Sequence, residues 1–280
     1  NIFVAMKYNI SWDFMLVFNF VKENNWQPWF KENETPLVLM AVFIEQPTPF
    51  MDEFWDKLVK LDYDKASIHL LIHNAVGYHG KQAAEFVQYW KNPNEVSTYH
   101  SIEYISEADE MDEVEARNRA VERCAELKCD SLFVVDSTVH LDNPAALSLL
   151  LEQNRAVVAP VLIRPYTPWS NFWGALSSGG FYARSLDYME IVRNERRGLW
   201  NVPYLSACYL VAGDIIMNAK TRPDYASEEL DPDMAFAESL RDRGVFMYVS
   251  NRVNFGHLVN AENFPTNHLN NELWEMERNK

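Results

Sequence analysis

Between residues 37 and 162 the chain switches repeatedly between short apolar runs and longer segments with helical spacing. The runs are LVLMAVFI (37–44), SIHLLIHN (67–74), the alternating STYHSIEYI (97–105), LFVVD (132–136) and RAVVAPVL (155–162). Between them lie MDEFWDKLVKL (51–61), KQAAEFVQYWKN (81–92), the segment 108–127 and PAALSLLLEQN (144–154). In the first of these segments Phe54, Leu58 and Leu61 recur at the spacing of one helix face. A strand that is apolar on both sides needs cover above and below, and the intervening helices supply it. The pattern predicts an α/β fold, a doubly wound and mostly parallel sheet with helices on both faces. Ligands of such sheets bind beyond the carboxyl ends of the strands, which directs attention to Asp136 at the end of LFVVD.

Local signals refine the boundaries. Asn143 with Pro144 behind it reads as a helix start, and so does Asp231 with Pro232, with Gly244 as the stop and VFMYVS (245–250) as the next strand. PYLSACYLVAG (203–213) reads as one buried strand ending at Gly213, whereas 165–189 is an aromatic-rich mixture of loops and short strands. Residues 1–36 do not follow the pattern and are expected to be the tail of a preceding domain and a linker; residues 37–280 form the α/β domain. The chain opens on Asn1 without a methionine, as a segment of a longer protein would.

Forty acidic residues against 25 basic ones give a net charge of −15, which argues against nucleic acid or an anionic membrane surface as a partner. No stretch reaches the roughly 20 apolar residues that cross a bilayer, and the N-terminus has no signal-peptide pattern. Three cysteines are too few for a disulfide framework. Cys124 and Cys129 are close enough in sequence to be either a short-loop disulfide or two free thiols. Asn9-Ile10-Ser11 and Asn33-Glu34-Thr35 are glycosylation sequons, which favour a secretory compartment only mildly.

Several clusters are candidate sites. A strand ending in Asp-x-Asp serves sugar-nucleotide transfer because a divalent cation needs oxygen ligands while it neutralises a diphosphate leaving group. Here the string is Asp136-Ser137-Thr138, and a hydroxyl is a neutral, weaker ligand than a carboxylate. Asp231 and Asp233 are candidates for a second acidic group late in the chain, and equally for an ordinary helix start. His140-Leu141-Asp142 spells the His-x-Asp of iron/2-oxoglutarate oxygenases, but in a β/α crossover rather than an all-β barrel, so it reads as a polar loop. His69 and His73 share a strand face with His79 beyond, and lack the further ligands of a metal shell. Seven carboxylates from Glu103 to Glu115 precede the first basic residue, Arg117: a solvated helix face, or a surface for a basic polypeptide. The common phosphate-loop, dinucleotide, serine-hydrolase and zinc-protease motifs are absent.

Longer phrases add to this. FIEQPTPF (43–50), LLLEQNRAVVAP (149–160), WSNFWGAL (169–176), YARSLDYMEIV (182–192), WNVPYLSACYLVAGD (200–214) and LDPDMAFAESLRDRGVFMYVSN (230–251) resemble the procollagen-lysine 2-oxoglutarate 5-dioxygenases, the collagen lysyl hydroxylases. The VVAP and SNFW phrases are shared more loosely with collagen galactosyltransferases. The resemblance covers about residues 37 to 275 and implies the central, glycosyltransferase-A-like accessory domain of a three-part chain, between a glycosyltransferase domain and a dioxygenase domain. It implies no cofactor for this domain, and iron(II), 2-oxoglutarate and ascorbate for the parent, whose iron ligands lie downstream; His140 and Asp142 are not credited with them. Where relatives of this domain tend to keep Asp-x-Asp, Thr138 stands in place of the second carboxylate. The resemblance also implies the lumen of the rough endoplasmic reticulum, where glycosylated Asn9 and Asn33 and a Cys124–Cys129 disulfide are in keeping with the compartment. The implied partners are the flanking domains and procollagen, with a homodimer formed through the parent. The alternatives are an active metal-dependent glycosyltransferase acting on collagen hydroxylysine, with Asp136 and Asp231 or Asp233 at its metal, and a collagen-docking module.

Overall fold

The computed structural model describes residues 35–92, 98–165 and 167–259. The sequons at Asn9 and Asn33, and the expected domain tail apart from its last two residues, lie outside the described residues. The strands, in chain order, are β1 (Val38–Ile44), β2 (Ile68–Asn74), β3 (Ser101–Ile105), β4 (Ser131–Asp136), β5 (Val139–His140), β6 (Val157–Pro160), β7 (Phe172–Trp173), β8 (Ala175–Leu176), β9 (Tyr182–Ala183), β10 (Leu199–Val202), β11 (Tyr204–Leu205), β12 (Cys208–Ala212), β13 (Met247–Ser250) and β14 (His257–Leu258). The helices are α1 (Met51–Val59), α2 (Gly77–Trp90), α3 (Glu113–Leu127), α4 (Ala146–Leu151), α5 (Tyr188–Val192), α6 (Gly213–Met217) and α7 (Pro232–Asp242).

Eight strands form one sheet in the order β10-β13-β6-β12-β4-β1-β2-β3. The neighbours β4, β1, β2 and β3 are parallel, and β13 is parallel to β6. The sheet is mixed, however, because β12 runs antiparallel to both β4 and β6, and β10 antiparallel to β13. Alternation along β1 shows how both faces are buried. Leu39, Ala41 and Phe43 join one apolar cluster with Ala116, Ala120 and Val121 of α3 and Phe236 and Leu240 of α7. Val38, Met40, Val42 and Ile44 join the other, with Phe54 and Leu58 of α1, Ala83 and Val87 of α2 and Leu147 and Leu150 of α4. Every residue of β1 and β2 is buried, as continuous apolar runs require.

Some boundaries differ from the sequence reading, each for a local reason. PYLSACYLVAG is two strands, not one: Ala207 takes a left-handed φ of 64°, and the chain turns there from the β7/β11 ribbon into β12. Asn143 does accept from the Ala145 backbone N–H at 3.0 Å, but this closes a turn and α4 begins only at Ala146. Asp231 stands at the N-cap of α7 with Pro232 in the first turn, and its side chain makes no capping bond. Cys124 and Cys129 are buried, and both stand as free thiols in this structure. The left-handed Lys128, φ 54°, folds the end of α3 back so that the Cys129 N–H reaches the Cys124 carbonyl at 3.1 Å. Among the described residues no helix is long and apolar enough to cross a membrane.

Candidate functional site

Asp136 is the last residue of β4 and aligns with Phe43 of β1, so its side chain stands at the carboxyl edge of the parallel strands. A cleft of about 330 Å³ opens there, lined by Glu45, Gln46, Glu113, Arg117, Asp136, Thr138 and Asp233 among others. The backbone is pinned around it: the Asp136 N–H donates to Ala207 O and the Ser137 N–H to Phe43 O, both at 2.8 Å, and the Val259 N–H to Thr138 O at 2.7 Å. The Ser137 and Thr48 hydroxyls hydrogen-bond at 2.7 Å, and the Thr48 N–H donates to His79 Nε2 at 2.9 Å.

The floor of the cleft is set by Arg117. Its side chain is 2% exposed. Its Nη2 donates to Asp136 Oδ1 at 3.0 Å and its Nε to Glu113 Oε1 at 2.8 Å, one helical turn back in α3. The guanidinium lies 4.5 Å from the centre of the Phe43 ring. Arg117 Nη1 and Asp233 Oδ1 have no hydrogen-bond partner. Burial is the main influence on Asp136 and pushes its carboxyl up; the Arg117 charge opposes it and Asp233 and Glu113 add to it, leaving the group at about 7. Burial likewise raises Asp233 against the opposing charge of Arg117. Burial works against the guanidinium charge, but Asp136 and Asp233 more than offset it and hold Arg117 firmly protonated.

Of the late carboxylates, then, Asp233 shares the cleft with Asp136, and exposed Asp231 does not line it. Sequence reasoning passed over Arg117 as a site residue. Its signal was its place as the first basic residue after the acidic run, four residues beyond Glu113.

The His140-Leu141-Asp142 string meets His257, because β5 pairs with β14 and sets His140 opposite His257. Asp142 accepts from Lys57 Nζ at 2.6 Å and bonds His257 Nδ1 at 2.7 Å, and Lys57 also reaches Glu53 at 2.6 Å. Lys57 Nζ stands 3.5 Å from His140 Nδ1, so an ammonium occupies the middle of this group. Burial above all, with the Lys57 charge, lowers His140 to about 4. The other histidines are committed structurally: His69 to Ser101 Oγ at 2.6 Å, His73 to Glu45 at 2.6 Å and Met111 O at 3.1 Å. Among the described residues no group of three or more His, Cys, Asp or Glu side chains is arranged to hold a metal ion.

A family model described as "Glycosyltransferase family 25, N-terminal domain" matches residues 111–277. Procollagen-lysine,2-oxoglutarate 5-dioxygenase 2 of Mus musculus is 45% identical over 246 residues, 87% of this chain and 33% of the relative. Procollagen-lysine,2-oxoglutarate 5-dioxygenase 1 of Gallus gallus is 42% identical over 88% of this chain. A Rattus norvegicus relative named multifunctional procollagen lysine hydroxylase and glycosyltransferase LH3 is 40% identical over 86% of it. The chain spans about a third of the length of these relatives. Among solved structures, GalNAc-T7 with UDP, GalNAc and Mn2+ aligns with a TM-score of 0.53 at 12% identity, covering 89% of this chain and 48% of that one. S. aureus TarS 1-349 aligns with a TM-score of 0.52 at 14% identity, covering 81% and 61%. These likenesses show the fold, the mixed and mostly parallel sheet of glycosyltransferase-A-like proteins. The chain belongs to the family of glycosyltransferase family 25 N-terminal domains, and its homologues at 40–45% identity over most of its length are procollagen-lysine 5-dioxygenases.

Proposed function

We propose that this chain is the central accessory domain of a procollagen lysyl hydroxylase and carries out no sugar transfer itself. The observation that carries this reading is the pairing of Asp136 with Arg117 at 3.0 Å. A sugar-nucleotide transferase of this fold needs carboxylate oxygens at the end of β4 free for a divalent cation. Here one carboxylate is taken by a buried guanidinium, the second position of the string is the hydroxyl of Thr138, and the remaining acidic partner, Asp233, faces the same fixed positive charge. The donor set does not fit a divalent cation.

In this reading the parent hydroxylates peptidyl lysine in procollagen, using iron(II), 2-oxoglutarate and ascorbate in a downstream domain, within the lumen of the endoplasmic reticulum. The domain spaces the two catalytic parts of the chain. The test is the substitution Asp136→Asn in the full-length parent, assayed for lysyl hydroxylation and for transfer of sugar to hydroxylysine. Both rates are expected to stay at the parent's level. Loss of sugar transfer with hydroxylation intact would establish the transferase reading instead.

A further inference from the structure

We infer that the cleft at the end of β4 is a latent cation site whose resident cation is Arg117. The inference rests on the accessory reading and extends it: the site has an internal substitute for a metal rather than a mere loss of ligands. Three carboxylates answer to one guanidinium. Asp136 and Glu113 accept from it at 3.0 and 2.8 Å, and Asp233 is held by its charge while lining the same cleft. A guanidinium this deeply buried is tolerated only when paired, and carboxylates gathered at one partly buried point repel one another unless a cation stands among them. Either a bound metal or a side chain meets that requirement.

Details of the geometry favour the side chain as a fixture. Arg117 projects from α3, a helix anchored on the sheet by Ala116 and Ala120, both fully buried, and its position is fixed by the Glu113 pair one turn away and by the Phe43 ring. Its remaining nitrogen, Nη1, is buried without a partner, as is Asp233 Oδ1. An arginine placed only to saturate hydrogen bonds would not leave such a donor and acceptor open within one cleft. They fit a site laid out around a centre of charge with directional bonds only partly fulfilled. The guanidinium bonds both Asp136 and Glu113, and among the described residues no three such side chains are arranged to hold a metal ion.

The experiment counts bound manganese(II) by electron paramagnetic resonance on the full-length protein and on Arg117→Ala and Arg117→Met variants, each checked for a parent-like circular dichroism spectrum and a cooperative melt above the temperature of the experiment. Arg117→Ala is expected to bind one more equivalent than the parent, and Arg117→Ala with Asp136→Asn to lose it. Arg117→Met fills the space without the charge and is expected to bind less than Arg117→Ala but more than the parent. If a folded Arg117 variant gains no manganese, the inference fails while the accessory reading stands. If the parent itself holds a manganese ion that Asp136→Asn removes, both fail. The comparison of parent with Asp136→Asn needs no Arg117 variant, so it decides that outcome even where those variants do not fold.

Discussion

Arg117 Nη2 and Asp136 Oδ1 lie 3.0 Å apart at the carboxyl edge of the sheet, and this single contact ties helix α3 to the end of β4. Removing one partner of a buried ion pair leaves an uncompensated charge, at a cost of about 3–5 kcal/mol. Arg119, two residues on, bridges Glu103 and Glu126 while 30% exposed, where such pairs contribute only about 0–1 kcal/mol. Arg117→Ala should therefore destabilise the domain far more than Arg119→Ala in urea denaturation, and equal losses would refute the assignment.

A second consequence concerns pH. Asp136 moves from an ordinary value of 3.8 to about 7 in the folded protein. The folded state thus holds this proton more tightly than the unfolded chain, so the contribution of Asp136 to stability falls as pH rises from about 4 to about 7 and is level above that. Asp136→Asn removes the titrating group. The stability difference between parent and variant, followed by chemical denaturation across that window, should shift in favour of the variant as pH rises; a difference independent of pH would show that Asp136 titrates normally.

Gly256 makes room for the β5/β14 ribbon. A Cβ there would stand 1.9 Å from the His140 carbonyl oxygen, on a backbone with φ at +155°. The obstruction is main chain, so it cannot swing aside. Gly256→Ala is expected to cost about 2–4 kcal/mol and to lower the melting temperature, whereas Gly80→Ala, whose nearest neighbour would be 3.9 Å away, is expected to be neutral or mildly stabilising.

Much of this architecture was legible in the sequence, because continuous apolar runs such as LVLMAVFI leave no solvent face and force a covered sheet. The antiparallel insertion of β12 was not. Nothing in CYLVA specifies its direction, which follows from the turn at Ala207 and from partners 75 and 52 residues upstream, Tyr209 opposite Val134 and Leu210 opposite Val158. The candidate site was half legible. Asp136 follows from its place at a strand end, while Arg117 comes from a helix whose acidic first turn disguised it as surface, and only the packing of α3 on Phe43 carries its side chain into the cleft.

The thiols offer a test of compartment. Cys124 and Cys129 are buried neighbours, and the hydrogen bond from Cys129, followed by burial, pushes the Cys124 thiol well up. Residence in the oxidising lumen proposed for the parent should close this pair into a disulfide. Mass spectrometry of non-reduced protein recovered from that lumen should find the two cysteines in one linked species, and alkylation of both in that material would contradict the assignment.

In the proposed reading the cleft around Asp136 performs no metal-dependent sugar transfer. Calorimetric titration of the full-length protein and its Asp136→Ala variant with a uridine diphosphate sugar and manganese(II) tests it most directly. Identical isotherms are expected for the two proteins, any binding belonging to other domains. A saturable component present in the parent and abolished by Asp136→Ala would contradict it.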